Sequence, residues 1–125
     1  MEAENKTLNI ALCAGRHEIP AAVDGAIFPF EVNPFDFKGM EATAREALRG
    51  FSGGKGTVNL YITGMTSAAL AVASICFANE INLIAWHYNR DTGEYAPQVV
   101  YAVDPCPFCG RPFGSGTHCA YCGAT

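Results

Sequence analysis

The chain has 125 residues, half of them hydrophobic and 16% charged, a balance that excludes intrinsic disorder and suits one packed domain with a small appendage. A net charge of −4, with eight Lys and Arg scattered along the whole length, excludes the dense basic footprint that duplex nucleic acid needs. A small anion held by a few arginines and backbone amides remains open. No apolar run reaches the roughly 18 residues that span a bilayer. The N-terminal MEAENKT lacks the apolar region of a signal peptide. A cytoplasmic protein is the expectation.

In chain order, Leu8–Ala14 reads as a short apolar strand closed by Gly15. Residues 20–33 are punctuated by Pro20, Gly25 and Pro29, with a short extended piece expected around Ile27, Phe28, Phe30 and Val32. Phe35 and Phe37 are expected to plug the core, and Asp24 and Asp36 read as turn residues. "MEATAREAL", from Met40 to Leu48, predicts a helix ended by Arg49 and Gly50. "GFSGGKGT" is not a phosphate loop, because Lys55 is followed by Gly56 where that pattern needs Ser or Thr.

Thr57–Thr63 is the clearest strand, ended by Gly64. A helix follows from Thr66 or Ser67 to Asn79. It is apolar almost all round, which predicts burial on every side. Ile81–Tyr88 is another strand, "NRDTGE" a turn, and "YAPQVVYAV" a returning strand that Pro97 places at an edge. Strands alternating with helices predict an α/β fold: a mostly parallel, Rossmann-like sheet with flanking helices and a C-terminal antiparallel hairpin. Residues 1–103 would form this Rossmann-like domain.

Open parallel sheets bind ligands beyond the carboxyl ends of their strands. Three polar clusters fall there. Gly15, Arg16, His17 and Glu18 follow the first strand. Thr63, Gly64, Met65, Thr66 and Ser67 join the next strand to its helix, where backbone amides attract anions. His87, Tyr88 and Arg90 end the third. Arg16 and Arg90 suit phosphate oxygens, and Trp86, Tyr88 and Tyr95 offer flat faces to a base. His17 and Glu18 suit hydrogen-bonding or acid–base roles. Plainer readings stand beside these. Thr66 or Ser67 explains itself as an N-cap, Arg16 as a solvated strand end, and His87 with Tyr88 as a core pair.

"VNLYITGMTSAALAVASIC" followed by "INLIAWHYNRDTGEY" resembles the small Rossmann-type domains that bind cyclic oligonucleotide messengers, the CARF domains and compact ring nucleases of type III CRISPR signalling. The resemblance covers roughly residues 7–103. "GRHEIPAAVDGAIF" is similar to small phage-encoded anti-defence proteins that sequester or cleave such messengers, for which the cytoplasm would be the host's. It implies a pocket lined by Arg16, His17, Thr63, Gly64, Thr66 and Ser67, and a homodimer or higher homo-oligomer. The C-terminal appendage departs from the compact members of that group.

Six cysteines divide into two sets. Cys13 and Cys76 stand alone in apolar segments and read as core residues. "CPFCGRPFGSGTHCAYCG" holds Cys106, Cys109, Cys119 and Cys122 as two C-x-x-C pairs, each followed by glycine. Two such knuckles predict a closed tetrahedral site for a structural zinc, a zinc ribbon over 104–125. So short a segment has no core of its own, and zinc would supply its folding free energy. Its Asp and Arg cancel, which favours a structural or protein-contact role.

These observations leave three functions open. The first is capture of a cyclic nucleotide messenger. The second is metal-independent ring cleavage, with His17 or Glu18 assisting attack of a ribose 2′-hydroxyl. The third is a zinc-ribbon interaction module carried on an inert sheet.

Overall fold

A computed structural model describes residues 6–15, 19–29, 31–53, 56–63 and 65–103. Strands β1 (Lys6–Cys13), β2 (Ala26–Phe28), β3 (Gly56–Tyr61), β4 (Asn82–Asn89) and β5 (Glu94–Tyr101), with helices α1 (Phe37–Ala47) and α2 (Thr66–Asn79), make an α/β fold. The sheet runs β2-β1-β3-β4-β5. The first four strands are parallel and β5 is antiparallel to β4.

This order decides what covers each face. Two crossovers, β2 to β3 through α1 and β3 to β4 through α2, step across the sheet in the same direction. Right-handed connections therefore put both helices on one face. The helices pack on each other there. Beneath them lie Leu12, Val58, Leu60 and Leu83 from the strands, with Met40, Ala44, Val72, Ile75 and Cys76 from the helices. Phe28 from the edge strand closes the same cluster and is almost fully buried. Each buried Val, Leu, Ile, Phe or Met side chain among them contributes about 1.5–3 kcal/mol.

The step from β1 to β2 goes the opposite way, so its connection crosses the other face. Ile19 and Ala22 pack there on Ala11, Tyr61, Trp86 and Tyr95. Asp24 holds this connection to the sheet: Asn9 N–H donates to its carboxylate at 2.8 Å, and its own N–H donates to Asn9 O at 2.9 Å. The turn residue thus imitates one rung of a strand ladder.

Three expectations need correction. Helix α1 starts at Phe37, three residues before Met40, because Asp36 is its N-cap and accepts the Gly39 N–H at 3.1 Å. Phe35 and Phe37 do not plug the core; they are 78% and 55% exposed and meet edge to face. Helix α2 is not buried all round. Ala68, Ala71, Val72, Ile75 and Cys76 face the core, whereas Leu70 and Phe77 stand in solvent. The two helices lie in a single layer, so among the described residues the outer side of α2 is only partly covered, Phe77 by an edge-to-face contact with Tyr101.

Candidate functional site

The direction of chain travel reverses between β1 and β3, which makes the carboxyl ends of these two strands the switch point of the sheet. The side chain of Thr63 joins them. Its Oγ1 accepts the Cys13 N–H at 2.9 Å and donates to Cys13 O at 3.2 Å. Register carries the line onward: Ala11 pairs with Tyr61 and Tyr61 with Trp86, so residues 13, 63 and 88 lie level. Ile62 N–H donates to Trp86 O at 3.0 Å, which fixes the β3 exit against β4.

A cleft of about 1350 Å³ opens at this level. Thr63, Met65, Thr66, Ser67, His87, Tyr88 and Arg90 all line it, so the β3 exit, the start of α2 and the end of β4 converge on one space. Cys13 and Ala14 bring the end of β1 to the same place. Gly15 follows with φ of 93°, the left-handed region that suits glycine, and is not among the described lining residues. Arg16, His17, Glu18 and Gly64 lie outside the described residues, as do Cys106, Cys109, Cys119 and Cys122.

The members of the cluster are not chemically equivalent. Thr63 spends its hydroxyl on Cys13, and Ser67 Oγ donates to Pro34 O at 2.9 Å. Both therefore shape the rim: Thr63 splices two strands, and Ser67 ties the loop before α1 to the first turn of α2. The N-cap of α2 is Met65, not Thr66 or Ser67, and it makes no side-chain capping bond. A 14-residue helix thus begins at the cleft without a capping bond from its N-cap side chain, and its dipole favours an anion there.

His87 and Tyr88 are exposed, not a buried core pair. Alternation along β4 places His87 on the helix-covered face with Leu83, and Tyr88 on the opposite face with Trp86. His87 Nε2 lies 2.7 Å from Gln98 Oε1. A carbonyl oxygen only accepts, so in the tautomer that makes this bond Nε2 donates and Nδ1 is the acceptor. Arg90 supplies a permanent positive charge, and no Asp or Glu is among the described lining residues. In a chain with net charge −4, the one Lys or Arg among the described lining residues of this cleft, Arg90, stands without a described carboxylate beside it.

The aromatic residues form a braced series. Tyr88 meets Tyr95 at 5.4 Å between ring centroids, Tyr95 meets Tyr61 at 5.3 Å, and Tyr61 stacks on Trp86 at 5.9 Å. Trp86 Nε1–H donates to Asn59 Oδ1 at 3.0 Å, and Asn59 Nδ2–H donates to Asn9 Oδ1 at 2.9 Å. Burial raises the Tyr61 pKa, with neighbouring Tyr95 adding to the effect, so the phenol stays neutral well into the alkaline range.

Sequence reasoning missed the other wall. Phe35, Phe37 and Leu70 line the cleft on the helix side, with Pro34 beside them, and Pro20 lines it elsewhere. One signal was present: in "NPFDF" an Asp N-cap puts Phe35 before the helix and Phe37 at its first residue, a turn ahead of Met40, where the buried stripe begins. Among the described residues no group of His, Cys, Asp and Glu could hold a metal ion, and no helix is long and apolar enough to cross a membrane. No protein-family model, no curated protein and no solved structure matches this chain.

Proposed function

We propose that this protein captures an anionic, nucleotide-type ligand, a cyclic nucleotide messenger, at the carboxyl ends of its parallel strands. The observation that carries the reading is the convergence of the start of α2, Arg90 and His87 on one cleft with no Asp or Glu among its described lining residues. Phosphate would sit at the Thr66 end, where helix amides point outward, within reach of the Arg90 guanidinium. Tyr88 would present a ring face to a base. Gly64, between the lining residues Thr63 and Met65, together with Arg16 and His17, which follow Ala14 by two and three residues, would complete the anion-binding rim.

Capture would be by a homo-oligomer, and Phe77, half exposed on α2 and not among the described lining residues of the cleft, is apolar surface that a second copy of the chain would cover. In a phage-encoded protein, sequestration of an immune messenger would serve as anti-defence. The tail, through Cys106, Cys109, Cys119 and Cys122, would hold one structural zinc apart from the ligand.

A second reading, cleavage, has one observation in its favour. His87 lines the cleft with Nε2 2.7 Å from Gln98 Oε1, and in the tautomer that donates this bond Nδ1 would be free to act as a base on a ribose 2′-hydroxyl. Incubation with a panel of cyclic nucleotides separates the readings. Ligand recovered intact after heat denaturation supports capture, shortened linear product supports cleavage, and absence of binding to every member refutes both.

A further inference from the structure

The cleft has an aromatic wall on each face of the sheet. On the helix side, Phe35 and Phe37 meet edge to face at 6.4 Å, beside Leu70. On the opposite side, Tyr88 leans on Tyr95, which is supported in turn by Tyr61 and Trp86. Both walls expose large apolar area: Phe35 is 78% and Tyr88 is 55% accessible. Both also have fixed supports. The Phe35 loop is tied by Ser67 to Pro34, by the Phe35 N–H to Asn33 Oδ1 at 3.0 Å, and by the Asp36 cap. Rings held this way need little further ordering when a flat partner lies on them.

Between the two walls run the strand ends, and there the cleft is polar, with Thr66, His87 and Arg90. Its volume of about 1350 Å³ exceeds the roughly 300–1,000 Å³ of an ordinary small-molecule pocket. A single mononucleotide would use one wall and leave the other wet. We propose that the ligand carries two flat aromatic rings joined by an anionic linker, one ring resting on Phe35 and Phe37, the other on Tyr88, with the linker crossing the strand ends at Thr66 and Arg90. The anionic part of this rests on the reading above; the two-ring part rests on the walls alone.

The test is calorimetric titration of the full-length protein with cyclic di-AMP and linear pApA as two-base probes and AMP as a one-base probe. Two-base probes should bind at least tenfold tighter than AMP. Phe35→Ala and Tyr88→Ala should each weaken two-base binding about tenfold, as loss of one stacked base does. For AMP only one of the two variants should matter, and Tyr88→Phe should restore affinity. Both residues are exposed, so truncation leaves the core intact, and circular dichroism verifies this. Equal affinity for AMP and the two-base probes, or no effect of either aromatic variant while Arg90→Ala still weakens binding, overturns the two-ring inference and leaves the anion site standing. No binding of any probe, or no effect of Arg90→Ala either, removes both.

Discussion

Thr63 Oγ1 takes the Cys13 N–H at 2.9 Å and returns its own proton to the Cys13 carbonyl at 3.2 Å. One hydroxyl thereby extends the β1–β3 pairing beyond the strand ends and sets the floor of the cleft. Thr63→Val keeps the shape and removes this donor–acceptor pair. Stability should fall by about 1–3 kcal/mol, the cost of stripping partners from half-buried backbone groups, whereas Thr63→Ser should lose far less. Urea denaturation of the two variants measures the difference.

Cys76 is fully buried among Val72, Ile75 and the strand residues beneath α2. Burial pushes its thiol from 9.0 up to about 12. The folded state therefore keeps the proton where the unfolded chain gives it up. Stability from this group is intact below pH 9 and declines as pH rises toward 12, by about 1.4 kcal/mol per unit. The raised pKa of Tyr61 acts in the same direction above pH 10. Urea midpoints measured from pH 8 to pH 11 should show this decline, with a shallower slope in Cys76→Ala. An unchanged slope in that variant would assign alkaline unfolding to other groups.

The tail prediction is independent of the sheet. Elemental analysis should give one zinc per chain, and Cys109→Ser should lose it by removing one thiolate of four. Chelation should release the metal while far-ultraviolet circular dichroism of the sheet domain stays unchanged.

The alternating strands and helices made the sheet legible in sequence, and the polar residues after each apolar strand marked where a cleft could form. Thr63, Thr66, His87, Tyr88 and Arg90 do meet there. Four features were less legible because they depend on the spatial arrangement of the elements. An all-apolar α2 reads as buried, yet the single helix layer leaves Leu70 and Phe77 outside. "NPFDF" reads as core filling by composition, but the Asp36 cap puts both phenylalanines at the cleft. Thr63 and Ser67 read as ligand contacts until their hydroxyls are seen committed to Cys13 and Pro34. Asp24, a turn residue by sequence, holds β1 from across the connection.

The account depends on an anion being held where α2 begins and β4 ends. Parallel titration of wild type and Arg90→Ala with a cyclic nucleotide panel, at two salt concentrations, tests that most directly. Wild type should bind at least one member, with affinity falling as salt rises, and Arg90→Ala should bind it about tenfold or more weakly with an unchanged thermal midpoint. Salt-independent binding that Arg90→Ala leaves intact, or no binding of any member by a folded wild type, would contradict it.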